Sequence, residues 1–258
     1  MSEELHATVD GPADAPVLLL GSSLGTTGAM WEPQLAGLTG LFRVVRYDHR
    51  GHGGSPVPAG PYRLADLAGD VLALADRLGV ARFCYAGLSL GGMVGMELAA
   101  QAPDRVDRMA LLCTSALLGP PEFWTARADA ARAGGTASIA DTVVSRWFRP
   151  DFVAANPDLY ARYQRMCADT PAEGYAGCCE AIRDMDLTGR LGAIRSATLV
   201  LAGADDPATP PSHAELIAAG IDGARVVVVD GAAHLANVER PAEVTDLLVT
   251  HLCPDRGV

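Results

Sequence analysis

The sequence predicts an α/β protein with a mostly parallel central sheet and helices on both of its faces. Strand-like and helix-like segments alternate along most of the chain, the pattern that winds a parallel sheet. Several strand-like runs are apolar throughout, namely 17–20, 109–113, 198–202 and 226–229, which suits strands covered on both faces. Between an apolar run at 82–86 and a helix-like run at 92–101 lies Gly87-Leu88-Ser89-Leu90-Gly91, a turn rich in small residues joining strand to helix.

Strands are expected at about 5–9, 16–21, 42–47, 82–86, 108–113, 197–202 and 225–230. Between the third and fourth, residues 64–78 place Leu64, Leu67, Ala68, Val71, Leu74, Ala75 and Leu78 on one helical face. The alternation stops after the fifth strand. Residues 119–189 hold eight of the 14 aromatic side chains and read as several helices jointed at Pro150, Pro157 and Pro171. The expected organisation is therefore a core of residues 1–118 and 190–258 with a helical cap, 119–189, inserted in it. A last helix, 241–252, closes the core, and the chain contains no internal repeat or low-complexity tract.

Composition narrows the function. A chain of 258 residues with 49% hydrophobic residues can build a sizeable core. The net charge is −11, with no basic tract, which argues against nucleic-acid binding because phosphate contacts need clustered positive charge. All 20 basic residues are arginine, which we read as a compositional bias of the genome. The six cysteines lack metal-ligand spacing, Cys178 and Cys179 are adjacent, and Cys84 and Cys113 fall in expected strands. Reduced, buried thiols in a cytoplasmic protein are expected. The acidic start, Met1-Ser2-Glu3-Glu4, does not resemble a signal peptide, and no apolar run approaches the ~20 residues of a membrane span.

The chemistry-bearing residues follow the expected strands. A glycine-flanked serine between strand and helix fits a nucleophile elbow, which lifts the hydroxyl above the end of the sheet. Serine needs an adjacent base. His234, four positions beyond the seventh expected strand, is the candidate, since an imidazole with an ordinary pKa near 6.5 can take and return a proton at neutrality. A carboxylate to orient it is offered by Asp205 or Asp206, just past the sixth strand. The five other histidines, at 6, 49, 52, 213 and 251, are assigned to the surface or to local hydrogen bonds. The polar run Asp48-His49-Arg50-Gly51-His52-Gly53-Gly54-Ser55 is assigned a structural role, its Asp and Arg pinning neighbouring turns.

The order Ser, Asp, His resembles the α/β-hydrolase fold and differs from the chymotrypsin and subtilisin orders. In that fold an insertion after the sixth strand of the family's numbering commonly forms a cap. Similar enzymes place the acid third after the strand-ending glycine, here Gly203, and directly before a proline, here Pro207, which selects Asp206 over Asp205. The resemblance implies an oxyanion hole made by the N–H of Leu90 and one from the loop 21–25, assigned to Leu24; many relatives carry His-Gly where this chain has Ser22-Ser23.

Over nearly its whole length the chain resembles the 3-oxoadipate enol-lactonases. The resemblance rests on residues 21–26, 46–55 and 86–95, on 202–210 and 233–239, and more specifically on Arg146-Trp147-Phe148 and 174–182 in the cap. Some relatives are fused to a carboxymuconolactone decarboxylase domain, which a chain ending at Val258 is expected to lack. The resemblance implies hydrolysis of 3-oxoadipate enol-lactone to 3-oxoadipate in aromatic catabolism, with Ser89, Asp206 and His234 as the triad and no metal or other cofactor. The partner is a small lactone bearing a carboxylate. An arginine must meet that carboxylate in a protein of net charge −11, and Arg127, Arg132, Arg146 and Arg183 are open candidates. Trp124 and Trp147 are candidate pocket walls. Another hydrolase of the same scaffold, such as a carboxylesterase, a C–C bond hydrolase or a perhydrolase, or a lactone-sensing receptor, are the alternatives.

Overall fold

In the computed structural model, which describes residues 2–254, seven strands form one sheet in the order β1-β3-β2-β4-β5-β6-β7. Met1 and residues 255–258, which the expected core includes, lie outside the described residues. The strands are β1 (Ala7–Asp10), β2 (Val17–Gly21), β3 (Arg43–Tyr47), β4 (Phe83–Leu88), β5 (Val106–Leu112), β6 (Ala197–Gly203) and β7 (Arg225–Val229). Each lies within two residues of its expected limits. Only β1 runs antiparallel to its neighbour. All six residues of β4 are buried. Since successive side chains point to opposite faces, both faces of the sheet are covered there.

The helices are α1 (Glu32–Leu38), α2 (Leu64–Arg77), α3 (Leu90–Gln101), α4 (Pro121–Gly134), α5 (Ala140–Val144), α6 (Pro150–Ala155), α7 (Pro157–Ala168), α8 (Ala172–Asp184), α9 (Pro211–Gly220), α10 (Ala236–Glu239) and α11 (Pro241–Leu252). Helix α2 buries Leu64, Leu67, Ala68, Val71, Leu74 and Ala75 and packs on α3, while α1 packs on α11. Between β5 and β6 come α4 to α8, with α4 lying along α8. The prolines at 150 and 157 open α6 and α7, where a missing N–H is harmless, and Pro171 immediately precedes α8.

Topology places the crevice. From β2 the chain crosses to β3 on one side, then returns to β4 on the other. In an open parallel sheet the carboxyl ends of the strands flanking such a reversal leave a cleft between diverging loops. Gly21 pairs in register with Gly87, so the loops leaving β2 and β4 emerge side by side.

Two local expectations change. The valine run at 226–229 suggests a covered central strand, yet β7 is the edge of the sheet and Val228 is 41% exposed. Consecutive valines report a preference for extended backbone, not how far the covering helices reach. Cys113 lies one residue beyond β5 with φ 44°, its N–H donating to Leu201 O at 2.8 Å. The thiol is buried, as expected, and burial keeps it protonated by pushing its pKa far up.

Candidate active site

Ser89 stands at the junction of β4 and α3 with φ 56° and ψ −116°, a region that a non-glycine residue enters only when its surroundings impose it. Its N–H donates to Leu112 O at 2.9 Å, and its carbonyl accepts from Thr114 Oγ1 at 2.7 Å and Met93 N at 3.0 Å. The flanking glycines are explained by close approach. A Cβ on Gly87 would strike the carbonyl of Gly91, and one on Gly91 would strike the carbonyl of Gly21. The N–H of Gly91 donates to Ser22 O at 3.0 Å, which draws the β2 loop against the start of α3. Neither the N–H of Leu24 nor that of Leu90 has an acceptor among the described residues. Leu24 lines the same cavity as Ser89 and Leu90 follows it directly in the chain, and unpaired N–H donors in such positions are suited to a developing oxyanion.

Asp206 and His234 form a buried pair. The imidazole Nδ1–H donates to Asp206 Oδ2 at 2.8 Å, leaving Nε2 as the nitrogen free for proton transfer. Thr209 Oγ1 donates to the same carboxylate oxygen at 2.7 Å, and the N–H groups of Ala208 and Thr209 donate to Oδ1 at 2.8 and 3.1 Å. Burial opposes ionisation of Asp206, but the charge and hydrogen bond of His234, with the Thr209 and Ala208 donors, outweigh it and bring the carboxyl down to about 2. It is therefore a carboxylate at neutral pH. Its neighbour Asp205 is half exposed and lies 3.4 Å from Arg149 Nη1.

Ser89 and His234 open onto a cavity of about 240 Å³. Leu24, Trp124, Arg127, Arg146 and Trp147 also line it, so helices from the segment between β5 and β6 supply one wall. No carboxylate lines the cavity among the described residues, and two arginines do, in a protein that is acidic as a whole. The four arginine candidates are thereby sorted. Arg132 is held by Glu173 and Glu180 and Arg183 by Asp184, and neither lines the cavity. Arg146 donates to the carbonyl of Pro207 at 3.0 Å. Arg127 donates through Nε to the hydroxyl of Tyr175 at 2.8 Å and lies 5.3 Å from the Trp124 ring centre and 5.5 Å from that of Tyr175. It has no carboxylate partner among the described residues. Trp124 Nε1 donates to Leu118 O, and Trp147 stands edge-on to Tyr163, so both rings are fixed.

The run 48–55 pins turns, as its composition suggests, but its histidines reach further than local contacts. Asp48 accepts from the N–H groups of Gly28 and Gly54, and Arg50 grips Asp70 through Nε and Nη2. His49 and His52 are fully buried. His49 Nε2–H donates to Ser22 O at 3.0 Å. His52 Nδ1–H donates to Arg50 O, which leaves Nε2 to accept the N–H of Gly25 at 3.0 Å. Both histidines thus brace the loop that carries Leu24. Burial pushes His49 down to about 3 and His52 to about 4, so both stay neutral. Histidine alone signals no such reach, because the partners are backbone groups more than twenty positions upstream. Elsewhere His213 Nδ1 meets Ser115 Oγ at 2.7 Å, and His251 bonds the carbonyls of Met109 and Ala197.

Known proteins agree with this architecture. Residues 16–241 match the family described as alpha/beta hydrolase fold. The chain is 38% identical to 3-oxoadipate enol-lactonase 2 of Acinetobacter baylyi, covering 92% of this chain and 88% of that one. The crystal structure of the enol-lactonase from Burkholderia xenovorans LB400 superposes with a TM-score of 0.95 at 43% identity, covering 97% of this chain and 96% of the other. A thermophilic esterase from Thermogutta terrifontis, solved with malate bound, superposes at 0.92 with 29% identity, covering 99% and 95%. With the strand order, the elbow and the matched span of 226 residues out of 258 (16–241) in agreement, the chain belongs to the α/β-hydrolase fold family and is similar to its 3-oxoadipate enol-lactonases.

Proposed function

We propose that this chain is a cytoplasmic serine hydrolase that opens 3-oxoadipate enol-lactone to 3-oxoadipate, a step of aromatic catabolism. The observation that carries the reading is one cavity lined by Ser89, His234 and Arg127, with no carboxylate among the described residues to repel an anionic substrate. The names of the similar enol-lactonases support it. No helix among the described residues is long and apolar enough to cross a membrane.

In this reading Arg127 receives the substrate carboxylate, and Trp124 and Trp147 wall the lactone ring. Ser89 Oγ attacks the lactone carbonyl while Nε2 of His234 takes its proton. Asp206 holds the imidazole tautomer and stabilises the imidazolium. The oxyanion lies toward the N–H groups of Leu24 and Leu90, each such donor contributing on the order of 3 kcal/mol. The bond from the acyl carbon to the ring oxygen then breaks. The leaving enolate remains tethered within the acyl chain, takes a proton and ketonises. Water, deprotonated by His234, attacks the acyl-enzyme; the ester to Ser89 breaks, the serine regains its proton, and the second carboxylate of the product is released. Residues 119–189 act as the cap over this centre.

A carboxylesterase is the second reading, favoured by the likeness to the Thermogutta esterase. The deciding experiment follows the loss of enol-lactone absorbance with purified protein and compares kcat/KM with that for a neutral aryl ester. A clear preference for the lactone is expected. Preference for the aryl ester overturns the assignment, and release of a single acyl equivalent per chain without further product identifies a receptor instead.

A further inference from the structure

We propose that Glu239 is a positioning residue, which locks the backbone of the His234 loop to the turn at residues 147–149 and so keeps the imidazole in register with Asp206. Glu239 ends α10, five positions after His234, and is 6% exposed. It does not line the cavity. One carboxylate oxygen, Oε2, accepts the N–H of Ala233, the residue before His234; the other, Oε1, accepts the N–H of Arg149 at 2.9 Å. The guanidinium of Arg149 points elsewhere, to Asp151 and Asp205, so the buried carboxylate is held by backbone amides. A buried carboxylate with two N–H donors from separate segments fixes both segments at once, because releasing either leaves a desolvated acceptor.

A second bond crosses the same seam in the opposite sense. The N–H of Leu235 donates to Trp147 O at 2.9 Å. His234 is thus bracketed, its predecessor held through Glu239 and its successor held directly, and both anchors belong to the turn whose tryptophan walls the cavity. The acid loop is tied to the same turn, since Arg146 Nη2 donates to Pro207 O. Asp206 and His234 therefore share one reference point outside the sheet. The two loops are also joined directly, the N–H of Asp205 donating to Ala232 O at 2.9 Å, and small displacements of a reacting group are costly.

This inference rests on the triad reading above, and the experiment separates the two. In Glu239→Gln one acceptor oxygen becomes an NH2 that faces an N–H, so one anchor is lost in either amide orientation. The variant should lower kcat on the enol-lactone by roughly a hundredfold with KM nearly unchanged, and should abolish the strongly deshielded proton resonance of the His234 Nδ1–H bonded to Asp206. The resonance needs no substrate: if the wild type leaves the lactone untouched yet shows the resonance, and the variant loses it, the proposed function fails and the positioning role stands. An unchanged resonance together with an unchanged kcat overturns the role, as does a loss of kcat matched by an equal loss of folded protein. In the unaltered protein the amides of Ala233 and Arg149 should exchange with solvent together and slowly. Free exchange of either amide defeats the proposal even where the variant does not fold.

Discussion

His52 Nε2 accepts the backbone N–H of Gly25 at 3.0 Å, next to Leu24, which lines the cavity. The pair joins the polar run after β3 to the loop after β2. Gly25 has φ +78°, and a side chain there would press on Cys167 and Tyr175, so the loop conformation is defined from both sides. An imidazolium at position 52 would present a second donor to a donor. The bond therefore exists only while the ring is neutral.

Acid should lower the stability of the fold before it reaches the ordinary carboxylate range. The native pKa values of His49 and His52 are about 3 and about 4, below the ordinary histidine value. Between the unfolded value near 6.5 and those native values the unfolded chain binds more protons, so stability falls as pH falls through that window. At pH 5.5 each histidine should remove about 1 kcal/mol. Melting temperatures measured from pH 7.5 to 4.5 should decline most below 6.5, with a shallower decline in His52→Gln. Parallel curves for the two proteins would show that the native ring is not held neutral.

Removing the hydroxyl in Ser89→Ala should reduce turnover by roughly a millionfold while leaving the melting temperature close to that of the wild type. The strained turn is imposed by its neighbours, Leu112 and Thr114 among them, and not by the hydroxyl. Retained turnover on the lactone would falsify the nucleophile assignment.

Adjacent aspartates should behave differently. Asp206→Asn replaces an acceptor of four hydrogen bonds and disturbs the His234 tautomer, so kcat should fall about ten-thousandfold. Asp205 is half exposed, and Asp205→Asn should alter kcat little. The opposite ranking in steady-state assays moves the orienting role to Asp205.

Arg127 should govern affinity for the charged end of the substrate. Losing a charge-assisted hydrogen bond in Arg127→Gln should raise KM for the enol-lactone roughly ten- to hundredfold, with a small effect on a neutral aryl ester. Arg132→Gln, which cuts an exposed network with Glu173 and Glu180, should leave KM unaltered. An equal loss on charged and neutral substrates would mean that Arg127 only supports the aromatic wall around Trp124 and Tyr175.

Much of this was legible in one dimension because it depends on short-range periodicity. Alternating strand and helix patterns, the glycine-flanked Ser89, and His234 and an aspartate just past strands follow from local backbone demands, while the choice of Asp206 over Asp205 came from the resemblance to similar enzymes. What proximity in space decides was not legible. Sequence left four cap arginines equivalent, whereas the structure sets aside Arg132 and Arg183, each already paired with a carboxylate, and keeps Arg127 and Arg146 at the cavity. It left His49 and His52 with local roles because their acceptor and donor are backbone groups of a loop brought near only by the parallel pairing of β2 with β3 and β4. It gave Glu239 no role beyond closing the run 233–239 that carries the resemblance. Hydrogen bonding to main chain leaves no trace in residue type, so the scaffold and the chemistry-bearing side chains are written along the chain, while the contacts that aim them arise only when distant segments are packed together.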